Sequence, residues 1–328
     1  MPELPEVETT KASLAPILGQ QVNKVQVFQP KLRWRMPDDL SELVGYALHS
    51  VKRRAKYLIL TFLPTTQLTG KKDGAIKENE PIEQNTVSLQ RQLIMHLGMS
   101  GSLQQYPIDT DKRKHDHLII TFNDITGKQT QLHYHDPRRF GAVLWHADYS
   151  AKLLDHLGPE PLSNKFDADY LYHLIQRTAD NIQPLKSEAI SDTSTNKMQD
   201  KKIAKRPIAR AIKSVIMEQQ VVVGVGNIYA TESLYLAGIH PATPAHQLNY
   251  KQIVILIDHV KTILSKAIEL GGSTLRDFTV ASGQTGYFQQ TLNVYGKQGE
   301  CCPSCKSELE NLKINGRASV YCPLCQPL

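Results

Sequence analysis

The chain has 328 residues, of which 41% are hydrophobic and 21% charged, an ordinary composition for globular domains that bury a core without disulfide staples. Its formal net charge of +6 is compatible with a nucleic-acid partner but does not single one out. No apolar run approaches the roughly 18 residues of a membrane span, and the start MPELPEVETT lacks the apolar stretch of a secretory signal, so a cytoplasmic protein of about two domains is expected.

The charge is unevenly placed. Residues 1–63 carry nine Lys and Arg against six Asp and Glu, and residues 181–206 carry six against three. The second segment is Ser/Thr-rich and nearly free of large apolar residues, so it reads as a flexible insertion. Residues 64–90 read the same way.

Residues 5–18 read as a helix. Pro5 suits its first turn, Glu6 and Glu8 suit the positive end of the helix dipole, and Pro16 should end or kink it. Ahead of it stand Met1, Pro2 and Glu3. Removal of Met1 would leave Pro2 with a secondary amine titrating near about 8. Such an amine can attack a sugar C1′ or a carbonyl and form an iminium, with Glu3 beside it as a proton shuttle. Taken alone, the segment reads more simply as a helix lead-in.

Short strand-like runs follow: QVNKVQVF, ALHSVKRR, YLILTFL, LIMHLGMSGSL, HLIITF, QLHYHD and AVLWHA. They predict an antiparallel sandwich or barrel over about 20–145. Within it, His115 and His117, and His133 and His135, share strand faces at a spacing that can ligate a metal; structural strand histidines are commoner. Residues 153–178 and 207–270 show helical spacing, as in Ile253, Leu256, Val260, Ile263 and Leu264. In Gly224-Val-Gly226-Asn227, Asn227 is a candidate N-cap for a helix starting near Ile228. The two glycines permit close backbone approach, and the free N–H groups of a helix start can hold phosphate. A plain packing corner explains these residues equally well.

All five cysteines lie between 301 and 325. Cys302 and Cys305 form one CxxC knuckle, Cys322 and Cys325 another, and 16 residues separate them. Four thiolates in this pattern close a tetrahedral structural zinc site with no position left for catalytic water. Cys301 is left over. Asn315-Gly316 between the knuckles predicts a type I′ hairpin, with Arg317 beside the turn. An Arg there can enter a nucleic-acid groove or simply be solvated.

Seven strings, in order, carry a resemblance: Pro2-Glu3-Leu4-Pro5-Glu6-Val7-Glu8-Thr9, Arg53-Arg54-Ala55-Lys56-Tyr57-Leu58, His96-Leu97-Gly98-Met99, Asp136-Pro137-Arg138-Arg139-Phe140-Gly141, Gly224-Val225-Gly226-Asn227, Gly286-Tyr287-Phe288 and the four-cysteine finger. Together they resemble the bacterial formamidopyrimidine-DNA glycosylases (8-oxoguanine DNA glycosylases) over nearly the whole chain. The resemblance implies an α+β multidomain fold: an N-terminal helix and antiparallel β-sandwich over 1–148, a helix-two-turn-helix domain over 149–280, and a lesion loop with a zinc-finger β-hairpin over 281–328.

It also implies a monomeric, nucleoid-associated base-excision repair enzyme acting on double-stranded DNA with an oxidised purine or abasic site. It would use one structural zinc ion and no catalytic metal or organic cofactor. Pro2 would be the Schiff-base nucleophile and Glu3 the proton donor and acceptor, with Glu6 in support. Lys56 would donate the proton for β-elimination and Arg317 for δ-elimination. His96, His115, Lys213 and Asn227 would contact DNA, with Arg276 a weaker candidate. Met99, Arg138 and Phe140 would fill the void left by an extruded base, whose unstacking costs a few kcal/mol. Gly283, Gly286 and Tyr287 would belong to a loop closing over that base.

Two other readings remain. Endonuclease VIII-type glycosylases for oxidised pyrimidines usually begin Pro-Glu-Gly-Pro-Glu, whereas this chain has Leu4, and they lack the Met99, Arg138, Phe140 set. A non-catalytic zinc-ribbon DNA-binding protein would keep the finger and Asn227 but need no free Pro2.

Overall fold

The computed structural model describes residues 2–65, 90–177, 206–272 and 291–328. Most of both polar insertions, together with Arg276, Gly283, Gly286 and Tyr287, lies outside the described residues.

Helix α1 runs Leu4–Ser13, shorter than the 5–18 expected. Its C-cap is Leu14, and Pro16 sits in a 3₁₀ turn over Ala15–Ile17. Eight antiparallel strands follow: β1 Gln21–Val27, β2 Tyr46–Arg54, β3 Tyr57–Pro64, β4 Arg91–His96, β5 Ser102–Pro107, β6 Asp116–Asn123, β7 Gln129–His135 and β8 Ala142–Trp145. Their order is β5-β7-β6-β1-β2-β3-β4-β8. The β1–β2 join is thin, with Gln21 opposite Ala47 as its Cα pair. The two halves can therefore fold over one another. Their inner side chains share one core, with Leu118, Leu132 and Val22 from one half and Leu60, Leu93 and Val143 from the other. Val7 of α1 closes this core.

The helical part holds α2 His146–Leu154, α3 Ala168–Gln176, α4 Ile212–Ile216, α5 Asn227–Leu236 and α6 Tyr250–Glu269. Within the stretch over 153–178 expected to be helical, α3 forms at Ala168–Gln176, while residues 155–167 are an irregular connection from α2. Helix α6 is long because its apolar positions recur on one face and its start is doubly capped. Gln252 N–H donates to Asn249 Oδ1 at 2.9 Å, and Asn249 N–H to Gln252 Oε1 at 3.0 Å. Its buried stripe packs with α5 around Ile228, Tyr229 and Leu234.

The finger is β9 Glu310–Ile314 paired with β10 Arg317–Tyr321. Asn315 and Gly316 both have positive φ, at 49° and 75°, as the type I′ turn requires. Among the described residues no helix is long and apolar enough to cross a membrane.

Candidate DNA-repair site

The first turn of α1 docks against the first turn of α5. Leu4 N–H donates to the Gly224 carbonyl at 3.1 Å. Glu3 Oε1 accepts from Ile228 N–H at 3.0 Å. Glu3 N–H donates to Glu6 Oε2 at 2.8 Å, and Tyr229 Oη donates to Glu6 Oε1 at 2.7 Å. The helix start expected to bind phosphate therefore gives its Ile228 N–H to a carboxylate of the same chain. Helix α5 also begins one residue earlier than predicted, with Gly226 rather than Asn227 at the N-cap.

The two glycines of this turn leave room for the N-terminal residues. A Cβ on Gly224, whose φ is +81°, would lie 2.5 Å from Leu4 Cδ1. One on Gly226 would lie 2.2 Å from Glu3 Cδ.

Pro2, Glu3, Glu6 and Lys56 are all buried. Burial pushes the Glu3 carboxyl up from its ordinary value, opposed chiefly by the Lys56 charge. Burial pushes the Lys56 amine down, opposed by Glu3 and Glu6 and reinforced by Arg317. Glu3 Oε2 and Asn227 Oδ1 are buried without a hydrogen-bond partner among the described residues, a costly state unless something else fills it.

Lys56 stands at the β2–β3 turn, where Ala55 is left-handed at φ 55°. Glu160, from the irregular segment after α2, holds this turn. Its Oε1 accepts from Ala55 N–H at 2.8 Å and from Arg54 at 3.0 Å, and its Oε2 accepts from Arg53 at 2.7 Å. Sequence reading missed Glu160; its signal was a charged residue between two prolines, away from any regular pattern.

Met99 and Phe140 are 38% and 45% exposed, so core packing is not their role. The Arg138 guanidinium lies over the Phe140 ring, 5.0 Å from its centroid. Their two loops meet backbone to backbone, since a Cβ on Gly98 would lie 2.5 Å from the Phe140 carbonyl carbon. His96 packs against Tyr57 with ring centroids 4.9 Å apart. Its Nδ1 accepts from Gly98 N–H at 3.0 Å. Burial first, then the Lys56 and Arg33 charges, lower its pKa to about 4.

The histidines of β6 and β7 do not form a metal-binding group. His133 Nδ1 and His135 Nδ1 each lie 2.9 Å from an oxygen of buried Asp116, which Arg113 also pairs. His117 Nε2 lies 2.7 Å from the Asp136 carbonyl oxygen. His115 is half-buried at the β6 entrance.

Lys213 is buried and does not project freely. Its Nζ donates to the Ala318 carbonyl at 2.9 Å and to Ser319 Oγ at 2.7 Å. Asn315 Nδ2 donates to Ser214 Oγ at 2.9 Å. Together these bonds dock the finger on α4 and hold exposed Arg317 beside a small pocket lined in part by Lys213 and Ser214. Burial lowers the Lys213 amine to about 7, which Glu3 opposes and Arg317 reinforces.

Cys302, Cys305, Cys322 and Cys325 present sulfur atoms all within 4.8 Å of one another. The Cys302–Cys325 separation is 3.9 Å and the Cys305–Cys322 separation 3.4 Å, close to the about 3.8 Å edge of a tetrahedron with 2.3 Å metal–sulfur bonds. This group can hold a metal ion. Tyr235 Oη lies 3.3 Å from Cys302 Sγ, tying the group to α5.

Comparison with known proteins agrees with this geometry. The model of the formamidopyrimidine-DNA glycosylase N-terminal domain matches residues 1–143, and that of the formamidopyrimidine-DNA glycosylase H2TH domain matches residues 183–279. A formamidopyrimidine-DNA glycosylase of Psychrobacter arcticus is 66% identical over 328 residues, covering 100% of this chain and 99% of its own. One of Acinetobacter baylyi is 49% identical over 329 residues, covering 100% and 99%. A solved complex between the Lactococcus lactis Fpg and an abasic site containing DNA has a TM-score of 0.74 and 31% identity, covering 99% of this chain and 100% of that one. With its α1–α5 junction, helix-two-turn-helix domain and four-cysteine finger in place, this chain belongs to the formamidopyrimidine-DNA glycosylase family, the base-excision repair glycosylases that its motifs resemble.

Proposed function

We propose that this DNA glycosylase removes oxidised purines from duplex DNA and then cuts the strand through a Schiff base at Pro2. The observation that carries the reading is the state of Glu3. One oxygen is fixed by Ile228 N–H, the other is buried without a partner among the described residues, and burial favours the protonated form. Such a carboxyl is set to give a proton and later take one back.

With Met1 removed, the Pro2 nitrogen attacks C1′. The C1′–base bond breaks, its electron pair leaves with the base, and a proton from Glu3 neutralises the departing charge. The nitrogen then loses its proton and the C1′–O4′ bond breaks, O4′ taking a proton, so that the sugar ring opens to an iminium that is an electron sink. Loss of a C2′ proton expels the 3′ phosphate, and δ-elimination then expels the 5′ phosphate. Lys56, whose charge acts on Glu3, and Arg317, whose charge acts on Lys56, serve these two eliminations. Asn227 and His96 hold phosphates, and His115 extends the contact. Lys213 serves DNA binding through the finger it docks. Met99, Arg138 and Phe140 occupy the space of the extruded base and face its orphaned partner.

The four thiolates hold zinc, which supplies structural cross-linking of the finger when bound. The three-part division at 1–148, 149–280 and 281–328, with the loop of Gly283, Gly286 and Tyr287 over the lesion, belongs to the same reading. So do a monomeric state and a cytoplasmic place of action at the nucleoid.

Borohydride reduction on a duplex with one abasic or 8-oxoguanine site tests the proposal. A covalent adduct mapping to Pro2 is expected. Its absence with processed, folded protein overturns the Schiff-base reading. Because a solved complex pairs the Lactococcus lactis Fpg with an oxidized pyrimidine containing DNA, an oxidised-pyrimidine duplex should run beside the purine one; faster cutting of it would favour the pyrimidine class.

A further inference from the structure

Asp136 is fully buried, at 0% exposure, yet no basic side chain pairs with it among the described residues. Its carboxylate bonds go instead to the two loops that bear Met99 and Phe140 and to Tyr134 of β7. Its Oδ1 accepts from Ser100 Oγ at 2.7 Å, next to Met99. Its Oδ2 accepts from Gly141 N–H at 2.8 Å, next to Phe140, and from Tyr134 Oη at 3.3 Å. Its own N–H donates to the His115 carbonyl at 3.0 Å. Ser100 Oγ in turn accepts from Arg138 N–H at 3.2 Å.

A carboxylate taken out of water is retained only where hydrogen bonds replace its hydration. Here the replacements come from β4–β5 and β7–β8 loop residues far apart in sequence. The loops also touch without side chains between them at Gly98 and Gly141; a Cβ on Gly98 would lie 2.5 Å from Gly141 N. Moving either loop would leave this carboxylate short of a donor.

We infer that Asp136 and Ser100 are positioning residues that lock Met99, Arg138 and Phe140 into one rigid unit, and so set discrimination of the base opposite the lesion. The inference rests on the void-filling role proposed above. It adds that alignment of the three side chains depends on a buried Ser100–Asp136 bond rather than on the loops' own stiffness.

The test is cutting of 8-oxoguanine duplexes with cytosine or with adenine opposite, measured for the wild type and for Ser100→Ala and Asp136→Asn. The cytosine-to-adenine rate ratio does not depend on the fraction of folded protein. For Ser100→Ala, which strips Arg138 N–H and Asp136 Oδ1 of their shared partner, the ratio should fall about five- to tenfold. Asp136→Asn can still accept from Gly141 and Tyr134 and should fall less. Equal losses on both duplexes, or no change, would overturn the inference, as would a wild type without preference. Failure of the wild type to cut either duplex would instead count against the proposed activity itself.

Discussion

Glu3 and Gly226 are in van der Waals contact across the two domains, and the space that a Cβ would need at 226 is occupied by the Glu3 carboxylate. Gly226 is extended at φ −127°, so backbone conformation does not demand glycine there; the carboxylate does. Gly226→Ala should therefore spare stability more than chemistry. We expect strand cutting at an abasic site to drop at least tenfold, about 1.4 kcal/mol in the barrier, with metal content unchanged. Gly224→Ala is the contrasting case. Its left-handed φ and the Leu4 side chain should together cost about 1–3 kcal/mol of stability, read as a lower denaturant midpoint.

Glu160→Ala should loosen the Lys56 turn. It removes one carboxylate from Ala55 N–H, Arg54 and Arg53. The loss of charge-assisted bonds predicts about 1–3 kcal/mol of destabilisation. A slower elimination step with Schiff-base trapping retained would show that Lys56, not Pro2, was displaced. Loss of trapping would place the effect elsewhere.

The contrast between these residues shows what sequence could reveal. The strands, the Asn315-Gly316 turn and the cysteine knuckles follow from local chemistry, because period, turn type and ligand spacing act over a few residues. Glu160 and Ser100 act at separations that no local pattern encodes. Asp136 lay inside a motif read only for Arg138 and Phe140. Lys213 was read as a DNA contact, and its docking on the finger was not legible because its partners, Ala318 and Ser319, lie 105 and 106 residues away. That the helix start at Asn227 also gives its Ile228 N–H to Glu3, 225 positions away, was hidden for the same reason.

His96 should stay neutral well below the usual histidine range. Its pKa is about 4, and the Gly98 N–H bond to Nδ1 leaves the proton on Nε2. A folded pKa below the unfolded value near about 6.5 means that this stabilising contribution is complete above that value and is lost as pH falls toward 4. Nitrogen-15 NMR should show the Nε2–H tautomer at pH 6. The thermal midpoint of the wild type should fall relative to His96→Gln between pH 6.5 and 4.5; a parallel decline would contradict the assignment.

Metal removal should undo the finger. Cys302 and Cys322 are fully buried and share a small core with Tyr235, Val294, Leu309 and Val320, too little apolar area to hold a hairpin alone. A thiol-reactive reagent should release one zinc per chain. Hydrogen exchange at residues 310–321 should then accelerate, and duplex affinity should fall. Retained protection after metal release would mean that Lys213 and Asn315 suffice to hold the hairpin.

The bond between Glu3 and Ile228 spans 225 positions of the chain. During synthesis the Glu3 carboxylate is therefore made long before the backbone donor that orients it. A nascent or truncated chain ending in the β domain has no Ile228, no Tyr229 and no finger, however well its sheet has folded. On the proposed reading, strand-cutting competence therefore waits for translation of the second half of the chain.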